Sequence, residues 1–231
     1  MAEPIELDCQ AAIAVPFWLL QWQRLLIRVR AFQDGGNCKM SRVPGYSEAL
    51  APFIQPRLMA LGPGQPMAEW RNRLERLTVH DLPRPGQSLL DQNAAQCCLA
   101  GLWLLYDFLD ECHRICQRIA TTEGSYWHAI MHRREPDEQN SKYWWRRVGS
   151  HAIFPELARR AALLAAGVSS LPAQATWLRT GCRWDPFAFV DLCAAVRDTG
   201  SPVEMLCRQI QLVEWQLLFD LCYTRAVASE D

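Results

Sequence analysis

The chain has 231 residues, half of them hydrophobic, and a formal net charge of -1. That length fits one domain with a sizeable core, and the apolar content excludes an intrinsically disordered chain. Near-neutral charge excludes general nucleic-acid affinity, which needs a basic field, yet leaves room for local arginine clusters that hold a small anion.

The opening Met-Ala-Glu-Pro-Ile-Glu-Leu-Asp lacks the basic start of a signal peptide. The apolar run from Ala11 to Leu20 meets Gln21, Gln23 and Arg24, so it is too short and too polar to span a membrane. A cytoplasmic protein without membrane contact is expected. Apolar periodicity predicts a first helix over Ala12 to Phe32, entered or broken at Pro16. A loop with Gly35, Gly36, Pro44 and Gly45 follows. Short helices are expected over 48–61 and 67–78, separated by Gly62-Pro63-Gly64. Pro83-Arg84-Pro85-Gly86 then leads into a long helical segment over 89–119. Residues 1–87 thus read as N-terminal helices and Pro/Gly loops, and 88–231 as the helical core.

Further helix signals follow in order. Residues 125–134 form a helix stopped by Pro136, because a proline disfavours helical geometry in the residue before it. Asp137 caps a helix to Val148, and Gly149 suits its C-terminal end. Another helix covers 155–166. Asp185-Pro186 combines an N-cap with proline at the first helical position and opens a helix through Arg197. Ser201-Pro202-Val203-Glu204 has capping-box spacing and starts the last helix, to about Val227. There is no alternating β-branched run, internal repeat or low-complexity segment. The expectation is an all-α, single-domain bundle of roughly 8–9 helices without significant β-sheet.

The ten cysteines resemble a disulfide framework only at first sight. Cys97, Cys98, Cys112, Cys116, Cys193, Cys207 and Cys222 sit inside helical apolar patterns, where a free thiol behaves as a small hydrophobe. No Cys-x-x-Cys pair points to zinc or redox chemistry. Reduced thiols are expected.

Candidate chemistry concentrates between Tyr126 and His151, which hold three of the five histidines, three of the ten tryptophans and five Arg/Lys. His128 and His132 are four apart, so their rings share a helix face. The glutamate of a zinc-protease helix is absent, since Ala129 occupies its position. Upstream, Tyr106, Asp110, His113 and Gln117 are spaced to form one stripe of the long helix, which turns polar halfway along. His113, His128 and His132 are therefore the candidate acid/base groups or the ligands of a divalent transition metal, with Asp110 and Glu135 as orienting or ligating carboxylates. If they form a site, ring nitrogens of His113 and of His128 or His132 must approach to about 4–7 Å.

Arg133, Arg146 and Arg147 are the candidate anion-holding groups, because a guanidinium offers a planar donor fork and stacks on aromatic rings. Asn140, Lys142, Tyr143, Gln117 and His151 would line the same ligand site. A purely structural reading competes at each position: core histidines with hydrogen bonds, Tyr143 and Trp144 in the core, and the cations in water. Glu214 lies in the apolar stripe of the last helix and must pair or neutralise there, with an arginine of the central block as the expected partner.

The run Gly-Ser-Tyr-Trp-His-x-Ile-Met-His-Arg-Arg-Glu-Pro-Asp-x-x-Asn-x-Lys-Tyr-Trp-x-Arg-Arg-Val-Gly-x-His resembles an uncharacterised family of bacterial proteins. Asp110-Glu-Cys-His113 and Trp184-Asp185-Pro186-Phe187 fit it more loosely, so the resemblance covers about half of the chain. Serine commonly precedes the histidine in that family where this chain has Cys112. The resemblance implies no activity, cofactor or fold.

Two functions suit these residues. One is a metal-dependent or acid/base enzyme acting on a small anionic molecule. The other is a non-catalytic helical interaction or scaffold protein. A concave site lined by the named histidines and arginines favours the first, and a large exposed apolar patch the second.

Overall fold

Most of the described helices begin where a side chain replaces a missing backbone partner. The chain divides after Arg42, and the computed structural model describes residues 45–228, all within the unit Val43–Asp231. The helix expected over Ala12 to Phe32 lies outside the described residues. The described residues form eight α-helices: α1 (Ala68–Arg76), α2 (Gln92–Leu105), α3 (Leu109–Cys116), α4 (Thr122–Arg134), α5 (Glu138–Val148), α6 (Phe154–Ala165), α7 (Pro186–Val196) and α8 (Pro202–Ala226). Asp91, Thr121, Asp137, Asp185 and Ser201 each accept a backbone N–H of the first turn of α2, α4, α5, α7 and α8. There is no strand among the described residues beyond one isolated bridge between Leu89 and Val227. The fold is all-α.

Three expectations need correction. Over 48–61 a single 3-10 turn, Ala51–Phe53, replaces the expected helix. Pro52, Pro56 and Pro63 remove backbone donors, and side chains take the carbonyls of the segment instead. Arg208 donates to Leu58 and Met59, Gln211 to Ala60, and Arg134 to Ala60, Gly62 and Pro63.

The expected long helix over 89–119 is two helices. It breaks at Asp107, whose φ is +66°. The Asp107 carboxylate accepts from Arg134 and from Arg57, the latter at 2.5 Å. Two guanidiniums around one buried carboxylate outweigh the cost of a left-handed residue, which is on the order of 1–3 kcal/mol. Tyr106 consequently leaves the stripe it was expected to share with His113. It stacks on Trp70 at 4.4 Å and donates to the Phe53 carbonyl.

The third correction is smaller: α4 starts at Thr122, three residues earlier than expected, because Thr121 caps it. The segment Ala173–Thr180 adds a 3-10 helix that the sequence reading did not anticipate.

Helix α4 is the centre of the architecture. All of its residues from Glu123 to Arg134 are buried, and α2, α3, α5 and α7 pack around it. Most polar side chains of a helix buried on every side need partners. Arg133 pairs with Glu214 of α8 at 2.6 Å, with both side chains fully buried. Tyr126 donates to the other Glu214 oxygen, so the expected arginine partner of Glu214 is present. Close approach to α2 depends on Gly101, where a Cβ would lie 2.8 Å from the Trp127 ring. The seven cysteines expected as packing residues are buried and free. Burial pushes the thiols of Cys98, Cys116 and Cys222 well above their ordinary range.

Candidate metal centre

The two histidines of α4 point to the side where α3 and α5 meet it. His113 comes from α3, placed by the break at Asp107. Its ring centroid lies 4.7 Å from that of His128 and 5.2 Å from that of His132, and the His128 and His132 rings stack at 4.8 Å. One ring nitrogen from each of the three lies within 4.8 Å of the others. The expected convergence of His113 with the α4 pair is therefore present.

The three rings differ in surroundings. His113 is half-buried. His132 is buried and its tautomer follows from its partners: Nδ1–H donates to Glu135 at 2.8 Å, while Nε2 faces the Asn140 side-chain amide at 3.1 Å and accepts from it. A carboxylate behind an imidazole fixes the ring and leaves the opposite lone pair for a ligand. His128 is 2% exposed, and neither of its ring nitrogens has a hydrogen-bond partner. Trp144 of α5 covers it face to face, with ring centroids 3.8 Å apart. Burial, helped by the neighbouring His132 and His113, holds the His128 pKa down at about 3. Burial also lowers that of His132, against the opposing pull of Glu135. Both rings are thus neutral near pH 7, the state in which imidazole offers a lone pair to a metal.

The remaining candidate residues are dispersed. Glu135 and Asn140 join the cluster through His132. Asp110 and Gln117 share α3 and its end with His113 but are exposed. Arg133 is consumed by Glu214, so it is not offered to a ligand. Lys142 pairs with Asp191 at 2.5 Å. Tyr143 is 48% exposed and packs edge-on against Trp144. Arg147 lies 5.3 Å above the Trp144 ring, so it is the guanidinium next to the cluster's cover.

Arg146 and His151 lie elsewhere. They line a separate cleft of about 540 Å³. His151 packs on Tyr126 and Phe154. The His151 ring and the Arg225 guanidinium beside Glu123 hold that carboxyl down at about 2. Trp144, which the sequence places on one face with Asn140, Tyr143 and Arg147, joins the cluster although it was expected only as a core residue. Its spacing on α5, between Asn140 and Arg147, was the available signal. No helix among the described residues is long and apolar enough to cross a membrane. Comparison with family models, with curated proteins and with solved structures gives no match.

Proposed function

We propose that this protein is a metal-dependent enzyme in which His113, His128 and His132 hold a divalent transition metal and a small anionic substrate reaches its open coordination position. The observation that carries the reading is His128: a buried imidazole with two unpartnered nitrogens, facing two further imidazoles. Buried polar groups in proteins are usually paired, and a metal ion would supply the missing partner. Nitrogen separations of up to 4.8 Å exceed the roughly 3.4 Å set by tetrahedral coordination at about 2.0–2.1 Å. Ring rotation would draw the ligands in, with the Asn140 amide giving up the His132 Nε2 lone pair.

Three protein ligands leave one position open, the arrangement in which a divalent ion acidifies water and polarises a phosphoryl or carbonyl oxygen. Around it, Glu135 orients His132, Trp144 keeps water from one face of His128, and Arg147 offers an exposed guanidinium beside that indole to an anion. Protein purified without a histidine tag is expected to bind a single Zn²⁺ per chain, measured by calorimetry and elemental analysis. Binding should be lost in His113→Ala and His128→Leu, and the loaded protein should cleave small phosphate or carboxylate esters. Tight zinc binding without hydrolysis would reduce the reading to a structural metal site, and absence of zinc binding would remove it.

A further inference from the structure

The two indole N–H donors left unpaired on the far side of α5, those of Trp145 and Trp184, do not belong to the metal cluster. Trp144 faces His128, whereas its neighbours Trp145 and Arg146 line the cleft of about 540 Å³ between the end of α5, the start of α6 and the loop into α7. That volume suits a small molecule. Trp145, Phe154, Trp184 and Phe187 give the cleft flat apolar walls. Its polar groups are almost all donors. The indole N–H groups of Trp145 and Trp184 are buried and have no acceptor. His151 accepts the Ile153 N–H on Nδ1 at 3.4 Å, so Nε2 carries the proton. That Nε2–H faces the Glu123 carboxylate at 3.7 Å, the group whose pKa it lowers.

Arg146 and Arg183 are exposed at the cleft and make no ion pair among the described residues. The one carboxylate in the lining, Asp185, is occupied in capping α7 through the Phe187 and Ala188 N–H groups. Gly149, at φ +63°, ends α5 here and turns the chain along the cleft.

We infer that this cleft is a binding site for a small aromatic anion, a phosphate or carboxylate carried on a flat apolar ring. The ring would stack between the aromatic walls, and the oxyanion would meet the Arg146 and Arg183 guanidiniums. The site stands independently of the metal reading, because it shares no side chain with the histidine cluster.

The test is titration of the full chain with phenyl phosphate and, separately, with benzoate, followed by tryptophan fluorescence. Cys182 is exposed on the same lining, so its alkylation by iodoacetamide, mapped by peptide mass, gives a second readout. The expected result is saturable binding of at least one of the two anions, with Cys182 protected at saturation. Arg146→Gln combined with Arg183→Gln should weaken that binding about tenfold or more, since both are exposed charge contacts. Benzyl alcohol and inorganic phosphate should each bind more weakly than the combined ligand. His128→Leu should bind as wild type does. The proposal is overturned if neither anion saturates below about 10 mM, tenfold weaker than millimolar binding. It is equally overturned if the arginine double variant binds unchanged, if Cys182 reacts at the same rate, or if His128→Leu abolishes binding and so moves the anion to the histidines.

Discussion

The Trp144 indole lies flat on the His128 imidazole, with ring centroids 3.8 Å apart and planes 20° from parallel. It is a dry cover on one face of an imidazole whose nitrogens are already without partners. Trp144→Ala is expected to admit water and raise the His128 pKa from about 3 towards the ordinary 6.5. An NMR titration of the ring protons would measure it. An unmoved pKa would mean that the neighbouring histidines alone, and not the cover, keep the ring neutral.

Acid should unfold the metal-free protein in a defined window. The folded pKa values of His128 and His132 are both lowered from 6.5, to about 3 for His128. The unfolded chain therefore takes up these protons first. Stability from the neutral rings is fully present above pH 6.5 and is lost as pH falls towards 3, with a slope of at most about 1.4 kcal/mol per pH unit for each ring. Urea unfolding between pH 7 and 4 should show this decline, with a shallower slope in His128→Leu.

Zinc should raise the thermal midpoint of the wild type, because it binds the assembled cluster and not the unfolded chain. At a hundredfold excess over its dissociation constant the gain is about 2.7 kcal/mol. His128→Leu should lose this shift while remaining at least as stable as wild type without metal, since it removes an unpartnered buried polar group. A variant that is strongly destabilised without metal would show that His128 has a structural partner in solution.

Arg133 and Glu214 are both fully buried, so removing one leaves a lone charge in the core. Arg133→Met or Glu214→Leu alone should cost about 3–5 kcal/mol, and the pair together much less than the sum. A double-mutant cycle by urea denaturation would decide it. Additive losses would show that the two groups are not coupled as the geometry implies.

Asp107 positions His113 by ending α2 and starting α3. Asp107→Ala frees Arg134 and Arg57 and removes the interaction that holds the break. It should cost about 3 kcal/mol or more and weaken zinc binding through displacement of His113. Asp107→Gly keeps the backbone freedom but not the ion pairs. If it restored wild-type zinc affinity, backbone conformation alone would set the position of α3.

Much of the helical plan was legible locally. Asp137, Asp185 and Ser201 carry their caps in a few adjacent residues, and α1, α5, α6, α7 and α8 appear within a few residues of their expected bounds. The i, i+4 spacing of His128 and His132 likewise put two rings on one face without any tertiary information. The breaks were not legible. Asp107 turns left-handed because Arg134, 27 residues away, reaches it, and 54–63 stays irregular because Arg134, Arg208 and Gln211 take its carbonyls.

The block from Tyr126 to His151 was a single rich cluster in one dimension, and the tertiary structure divided it. His128, His132, Glu135 and Asn140 went to one side with His113. Arg133 turned into the core towards Glu214, while Arg146 and His151 opened on another cleft. Composition and periodicity determined that this chain is all-α and where its ionisable groups concentrate, because both follow from near-neighbour chemistry along a helix. Which of those groups meet was decided by long-range ion pairs and by the complete burial of α4. Those depend on distant residues that no local pattern encodes.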